Sequence, residues 1–258
     1  MKPEARRTAI MDRLVEQGKV DLDDLALRYD VSKMTIHRDL DELEATGLLR
    51  KIRGGATIEV STQFESDFRL RERQGAAEKA QMADAALALI EPGMTVMIND
   101  GSMAAVLGAR LTQKRPLTVI SNNVAIIDAL KMENGISMIA LGGIYSAKFN
   151  AYFGMVTEQS IAGLRADIAF ISTPAVSGTE VFHMDEDVVR TKRAMIRAAK
   201  RSCLMVNHTR FGHIALHKLG ELAEFDTIIS DRAPSGDACA ALERAGLRLT
   251  LASEKETE

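Results

Sequence analysis

Residues 32–43, SKMTIHRDLDEL, decide how the N-terminal part of the chain folds. Ile36, Leu40 and Leu43 recur at i, i+4 and i+7, which predicts an amphipathic helix with one buried stripe. Ser32 stands where an N-cap hydroxyl accepts a free backbone N–H, and Gly47 stands where such a helix ends. The other face presents groups suited to base edges and phosphates in a major groove, and with the cap they are Ser32, Lys33, Thr35, His37 and Arg38.

An ordinary helix with a solvated polar face has the same pattern, so the neighbouring segments decide between the two interpretations. Residues 22–29 have apolar side chains at i, i+3, i+4 and i+7, and only Asp30 and Val31 separate them from Ser32. Two short helices joined this tightly predict a helix-turn-helix whose second helix recognises DNA. A helix over residues 4–17 adds to the core. LLRKI and RGGATI then predict a wing of two short strands that carries Arg50, Lys51 and Arg53.

Residues 20–56 resemble the N-terminal domain of the DeoR family of bacterial repressors. The resemblance rests on the VS cap, the TI-x-RDL of the recognition helix, the GLL-x-R segment and the GGA of the wing. It implies a winged helix-turn-helix that docks on double-stranded operator DNA. His37 stands where the family usually has arginine, which affects the preferred base but not the docking mode.

Length and composition fit a two-domain globular protein. The 258 residues are 46% hydrophobic and 27% charged, and no apolar run approaches the roughly 18–20 residues of a membrane helix. The N-terminus has charges inside its apolar pattern and does not look like a signal peptide. Two separated cysteines argue against a disulfide scaffold, so we expect a reducing cytoplasm and no membrane.

Charge constrains how the protein binds DNA. Residues 1–58 contain eleven basic and eleven acidic residues, so the net charge of −3 falls on the rest. Positive charge must therefore be placed on one side, including Arg6 and Arg7, with the acids Asp21, Asp23, Asp24 and Asp41 away from the duplex. We expect weak binding by one monomer, and dimers with recognition helices about one DNA turn apart or a multiple of it.

Residues 1–58 form the predicted DNA-binding domain, residues 59–75 a linker and residues 76–258 a second domain. In the second domain, short apolar segments such as TVMIN, LTVIS, SMIAL and DIAFIST alternate with amphipathic segments. This alternation predicts an α/β fold of the Rossmann-like type, with a mostly parallel sheet covered by helices on both faces.

In such a sheet, ligands bind outside the carboxyl ends of the strands. Three loops there suggest a phosphorylated small molecule, although each of them taken singly is an ordinary turn. One follows TVMIN and offers backbone N–H groups at a helix start, the second is rich in amide donors, and the third permits close backbone approach. Their candidate residues are Asp100, Gly101, Ser102, Met103, Asn122, Asn123, Gly142, Gly143 and Lys148.

The second domain is similar to the C-terminal domain of the same family, in its FRLRERQGAAEKAQMADAA entry, its D-G-S loop, VIS-N-N, LGG and the EDVVRTKRAMIRAA helix. The family domain resembles the sugar-phosphate isomerase fold and senses phosphorylated sugars or their metabolites. This chain has Gly-Ser-Met where the family has Gly-Thr-Thr, and 207–212, NHTRFG, where it has D-x-S-K-F-G. The resemblance makes Asn207 and Arg210 candidate effector ligands and implies an effector unlike common hexose phosphates.

An enzyme is the alternative from another class. Asp100 and the acids at 185–187 are candidates for the carboxylate base of an isomerase, although acids also suit a helix N-terminus. His208, His213 and His217 fit no closed metal-site spacing, so no metal and no cofactor are expected. We predict a repressor of a carbohydrate operon that forms a homodimer or homotetramer. The alternative is a sugar-phosphate-binding or isomerase-like protein whose N-terminal module mediates protein contacts.

Overall fold

The computed structural model describes residues 1–58 and 67–252. The chain forms two compact units, Met1–Gln74 and the residues from Gly75 onward. Residues 59–66 of the predicted linker lie outside the described residues, and residues 68–73 form a helix that belongs to the first unit. Leu70 of that helix is buried in the N-terminal core, and Arg73 pairs with Asp12 at 3.1 Å.

The N-terminal unit is a winged helix-turn-helix, as predicted. Its elements are helices α1 (Pro3–Gln17), α2 (Leu22–Tyr29), α3 (Lys33–Ala45) and α4 (Phe68–Arg73), with strands β1 (Lys19–Asp21), β2 (Arg50–Ile52) and β3 (Gly55–Thr57). The strands form an antiparallel sheet in the order β1-β3-β2.

Strand β1 was not predicted, because three residues between two helices carry no periodicity. Gly55 makes its pairing possible, since a Cβ at this position would lie 1.9 Å from the carbonyl oxygen of Val20. The core of the unit includes the fully buried Ile10, Leu14, Ile36 and Leu40. The four helices and the wing therefore share one small core.

The second unit contains helices α5 (Ala76–Leu87), α6 (Ser102–Gly108), α7 (Val124–Leu130), α8 (Met155–Ala162), α9 (Glu186–Ala198) and α10 (Asp237–Arg244). Its strands are β4 (Thr95–Ile98), β5 (Leu117–Ser121), β6 (Ile136–Ala140), β7 (Ile144–Ser146), β8 (Ala151–Phe153), β9 (Ala166–Ser172), β10 (Ala175–Ser177), β11 (Glu180–His183), β12 (Ala199–Met205), β13 (His217–Glu221), β14 (Thr227–Ser230) and β15 (Thr250–Leu251). Short 3₁₀ turns lie at Leu111–Lys114, His208–Arg210 and Leu222–Glu224.

Seven strands form one sheet in the order β15-β14-β12-β9-β4-β5-β6, and every pairing in it is parallel. Alternate side chains of each strand enter two separate apolar cores. Val96 and Ile98 of β4 belong to one core, whereas Met97 belongs to the other. Helices therefore cover both faces, which confirms the predicted α/β architecture.

Two features of this unit were not predicted. Strands β7 and β8 form a hairpin, and β10, β11 and β13 form a small antiparallel sheet. The EDVVRTKRAMIRAA helix, residues 186–199 in the sequence, ends at Ala198, and β12 begins at once because Ala199 pairs with Ala166 of β9. Strand pairing across the sheet thus overrides the helical pattern of the sequence.

Candidate functional site

The recognition helix α3 is held by its apolar face. The Ser32 hydroxyl accepts the backbone N–H of Thr35 at 3.2 Å, as an N-cap should, and Gly47 after the helix has a φ of 74°. Ile36 and Leu40 are fully buried and Leu43 nearly so. The remaining faces of the helix stay available to solvent or DNA.

The predicted base-reading and phosphate-binding residues of α3 differ in exposure. Lys33 and Arg38 are exposed, whereas Thr35 and His37 are half-buried. The Thr35 hydroxyl lies 2.9 Å from that of Ser32. Within residues 1–58 and 67–252, the Arg38 guanidinium has no hydrogen-bond or ion-pair partner, so it is the most available cation on this helix.

One of the cations expected on the DNA side is structural instead. Arg6 is 5% exposed, and its guanidinium donates to both carboxylate oxygens of Asp39, at 2.5 and 3.2 Å. Asp39 lies on α3 and is 4% exposed, so this fork joins α1 to the recognition helix. The pairing was not predicted, because the two residues are far apart in the sequence and the buried face of α3 was expected to be apolar.

The wing carries its three predicted cations in different environments. Arg53 is exposed at its tip, and Arg50 is half-buried with an Nε that has no partner among the described atoms. Lys51 is anchored to α3: its backbone N–H donates to Glu44 at 2.7 Å, and its ammonium pairs with Asp41. The wing is thus fastened to the recognition helix by both acids.

The acids of the unit are not kept apart from the cations as expected. Lys33 Nζ lies 2.8 Å from the Asp23 carboxylate, Lys51 pairs with Asp41, and Arg7 pairs with Glu42. An even balance of charges in a small domain places carboxylates within reach of most long cationic side chains. Asp23 and Asp41 therefore lie beside two of the cations predicted to bind DNA.

Exposed apolar side chains also lie on this unit. Met34 in the first turn of α3 is 63% exposed, Leu27 on α2 is 85% exposed and Ile52 on the wing is 38% exposed. Met34 interrupts the polar face that the sequence pattern predicts for this helix. An apolar side chain at this position suits a thymine methyl group.

In the second unit, the strand order changes direction between β4 and β9. The chain runs from β4 to β5 and β6 on one side, and then from β9 to β12, β14 and β15 on the other. The carboxyl ends of β4 and β9 therefore border a topological switch point, the usual place for a ligand in open α/β sheets. Asn99 and Asp100 follow β4, and Ser172 ends β9.

A buried lysine reaches this switch point from α9. Lys192 is 2% exposed, and its Nζ donates to the carbonyl oxygen of Ser172 at 2.9 Å and lies 3.6 Å from Asp100 Oδ1. Asn99 binds Ser172 through its side chain, accepting from the Ser172 N–H at 3.1 Å. Lys192 was not predicted as a site residue, although a lysine on the inward stripe of α9, between Val189 and Met195, was a usable signal.

The loop that starts α6 has the geometry predicted for it. Gly101 has a φ of 105°, and no side chain caps the helix among the described residues. Asp100 is 1% exposed, and Ser102 and Met103 are also buried, at 6% and 8%. The loop thus brings a carboxylate and the first backbone N–H groups of α6 to the end of β4.

The side chains of the two asparagines after β5 make different hydrogen bonds. Asn123 caps α7 by accepting the N–H of Ala125 at 3.0 Å, and its amide donates to Gly101 at 3.1 Å, so its hydrogen bonds hold the two loops together. Asn122 donates to the carbonyl oxygen of Tyr152 on β8 at 2.9 Å. Its Oδ1 is buried with no partner among the described residues, which leaves one acceptor at the carboxyl edge.

The Gly142-Gly143 pair serves chain packing. Gly143 has a φ of 144°, and a Cβ there would lie 2.3 Å from Thr157 Oγ1 and 2.5 Å from the carbonyl oxygen of Phe153. Gly142 is exposed, with open space around it. Lys148 is half-buried, with its ammonium 5.4 Å from the centre of the neighbouring Phe149 ring. Close approach of the β7–β8 hairpin is enough to explain Gly143.

Asn207 and Arg210 lie after β12, farther along the sheet from the switch point. The Asn207 side chain caps a 3₁₀ turn by accepting from Thr209, and Arg210 is half-buried. Next to them, His208 and the buried Asp231 form a close pair, with Nδ1 of His208 2.6 Å from Asp231 Oδ2. The structure thus spreads the candidate effector residues over several strand ends, with Asp100 at the switch point itself.

The remaining expectations from the sequence concern metals and membranes. Across the described residues, no group of three or more His, Cys, Asp or Glu side chains is arranged to hold a metal ion. Over the same residues, every helix is too short or too polar to traverse a lipid bilayer. Cys203 is buried and Cys239 half-buried.

The chain combines a winged helix-turn-helix with a Rossmann-like unit that has buried polar residues at its topological switch point. This combination is typical of DNA-binding regulators that sense a ligand. Family models match both parts: residues 6–62 match the DeoR-like helix-turn-helix domain, and residues 74–232 match the DeoR C-terminal sensor domain. The chain belongs to the DeoR family of transcriptional regulators.

Similar curated proteins match along almost their whole lengths. The L-fucose operon activator of Haemophilus influenzae is 30% identical over 88% of this chain and 91% of its own. The putative aga operon transcriptional repressor of Escherichia coli O157:H7 is 29% identical, with 96% and 94% covered. The glycerol-3-phosphate regulon repressor of E. coli K12 is 27% identical, with 91% and 93% covered.

Solved structures that are similar to part of this chain include a D-ribose-5-phosphate isomerase in complex with phospho-erythronic acid, which is 15% identical with a TM-score of 0.38 over 52% of each chain. An eIF-2B initiation factor of Pyrococcus horikoshii is 12% identical with a TM-score of 0.40 over 62% of each chain.

Proposed function

We propose that this chain is a cytoplasmic repressor of a carbohydrate catabolism operon, and that a phosphorylated sugar or a related metabolite releases it from its operator. The observation that carries the effector half is the buried Lys192–Asp100 pair at the switch point, beside the uncapped start of α6. Burying two charges costs free energy even when they are paired, and this pair lies where ligands of such sheets bind.

The effector class follows from the groups at that edge. Lys192 and the backbone N–H groups after Gly101 favour an anion, while Asp100 and the free Asn122 Oδ1 accept hydrogen bonds from hydroxyl groups. A polyol phosphate presents both kinds of group. Relatives named for fucose, aga and glycerol-3-phosphate regulation support a carbohydrate effector.

On the DNA side, we propose that Arg38 binds mainly phosphate, and that Lys33, Thr35 and His37 read bases. Arg38 is exposed and unpaired within the described residues, as a phosphate-binding cation should be. Two protomers of a homodimer or homotetramer would place two such helices in successive major grooves. Effector binding then shifts the protomers so that the helices no longer match the half-sites.

A gel-shift assay on DNA upstream of the chain's own gene, with and without a panel of sugar phosphates, tests the proposal. An allosteric coupling of about 1–3 kcal/mol predicts a roughly five- to 150-fold loss of affinity with the right compound. Binding that no phosphorylated compound changes would contradict the effector half, and absence of binding would contradict the DNA half.

Lys192→Gln is the matched test of the effector site. We expect it to keep DNA binding and lose the effector response, whereas Lys200→Gln, on the exposed start of β12, keeps both. Far-ultraviolet circular dichroism of both variants checks that the secondary structure is intact.

The second candidate is an isomerase-like enzyme, because Asp100 and Lys192 together resemble an acid–base pair. The family consists of transcriptional regulators, and we propose that this chain has no catalytic residues. Turnover of the compound that binds, followed by NMR on the same sample, would favour the enzyme, and an unchanged ligand would favour the sensor.

A further inference from the structure

The cations that the proposed DNA interface depends on are largely occupied by carboxylates of the same unit. Lys33, in the first turn of α3, lies 2.8 Å from Asp23 in the first turn of α2. Lys51, on the wing, pairs with Asp41, which α3 itself provides. All four side chains are partly or largely exposed, so these pairs are open to competition from solvent and from other anions.

We propose that Asp23 and Asp41 compete with DNA for Lys33 and Lys51, and so lower the affinity of the protein for DNA of any sequence. The inference rests on the proposed DNA interface and adds two acidic residues to it. Neither acid contacts DNA favourably: each holds a lysine that must change partner, or share it, when a duplex docks.

As a physical consequence, each lysine contributes less to the free energy of DNA binding. Surface ion pairs contribute about 0.2–1 kcal/mol, which corresponds to a factor of roughly 1.4 to five in affinity for each pair that is broken on binding. An uncompensated carboxylate near the duplex also recruits a cation, which offsets part of the counterion release that drives binding. The salt dependence is therefore shallower than the number of cations on this surface predicts.

The effect falls most heavily on non-specific binding. Phosphate contacts supply essentially all of the non-specific affinity, whereas an operator adds base contacts through Thr35 and His37, which neither acid pairs with in the described structure. The even charge balance of residues 1–58 has the same consequence. Asp23 and Asp41 thus act as determinants of specificity, because they reduce the background against which the operator is recognised.

Asp24 is a matched control for Asp23. Both acids lie in the first turn of α2, both are exposed, and both backbone N–H groups donate to the Asp21 cap. The difference is the lysine, since no cation pairs with the Asp24 side chain in the described structure. Asp23→Asn and Asp24→Asn remove the same charge and the same favourable interaction with the helix dipole.

The experiment uses the full-length protein and a fluorescent duplex of about 30 base pairs with a random sequence, titrated by anisotropy at several salt concentrations. We expect Asp23→Asn to bind about two- to fivefold more tightly than Asp24→Asn, with a salt slope steeper by up to about 0.9. In a Lys33→Ala background the two substitutions should become equivalent. Likewise, Asp41→Asn should tighten binding when Lys51 is present, and it should lose this effect in a Lys51→Ala background.

The outcomes separate this inference from the proposed function. Equal effects of Asp23→Asn and Asp24→Asn in the presence of Lys33 would overturn the inference while leaving DNA binding in place. A wild-type protein that does not bind DNA at low salt would overturn the proposed DNA interface, and the inference with it. Thermal melts of each variant confirm that affinities are compared between folded proteins.

Discussion

The Arg6–Asp39 pair gives the sharpest prediction about the DNA-binding unit. Both side chains are nearly inaccessible, at 6% and 5%, and two hydrogen bonds of 2.5 and 3.2 Å join them. Asp39→Ala would leave the guanidinium of Arg6 charged and buried without its partner. Breaking one side of a buried pair costs about 3–5 kcal/mol, which is most of the stability of a domain this small.

The same helix provides the control. Asp41 is also an ion-paired aspartate of α3, but its side chain is 58% exposed, so Asp41→Ala should change the stability by about 0–1 kcal/mol. Hydrogen exchange of the α1 and α3 amides in the full-length protein measures both variants without requiring the two units to unfold together.

An apolar replacement of the whole pair tests the reason for the effect. Arg6→Met combined with Asp39→Leu removes both charges and keeps similar volume, so it should recover most of the protection lost in Asp39→Ala. Protection in Asp39→Ala equal to that in Asp41→Ala would refute the assignment. So would a double variant as unstable as the single one.

Three further predictions concern the second unit. Gly143→Ala should destabilise it by about 1–3 kcal/mol in a thermal melt, whereas Gly142→Ala should be nearly neutral, because only the first added Cβ meets neighbouring atoms. Burial opposes ionisation of Asp231, yet hydrogen bonds from the His208 backbone and ring hold its pKa below the ordinary aspartate value. The resulting stability is fully present above that ordinary value and is lost as the pH falls through the lowered pKa. In urea titrations, the free energy of unfolding of Asp231→Asn should therefore decrease less at acid pH than that of the wild type. Burial raises the pKa of the Cys203 thiol, so iodoacetamide should label it only after unfolding, and labelling of the native protein at Cys203 would contradict this.

Local chemistry determines much of the fold of both units. The Ser32 cap and the Ile36-Leu40-Leu43 stripe each act within a few residues, and each is found where the sequence predicts it. The apolar strands of the second unit are predictable for the same reason. Strand β1, however, exists only because β3 lies beside it, and three residues carry no signal of that neighbour.

The site shows the same division. Asp100, Gly101 and Asn122 could be placed at one edge of the sheet from the sequence, because parallel strands end together. Three contacts could not be predicted in this way: Asn123 holds two loops together, Gly143 serves the hairpin, and Lys192 reaches the end of β4. Each of them joins elements that lie far apart along the chain.

The sequence by itself determined the two-part architecture, the recognition helix and the edge of the sheet where an effector is expected. Those features follow from periodicity and capping, which act over a few residues. The tertiary structure alone decided which charges meet: Arg6 with Asp39, Lys33 with Asp23, and Lys192 with Asp100. Electrostatic pairing depends on the distance between charges in space, and only folding brings charges that are far apart in the sequence close together.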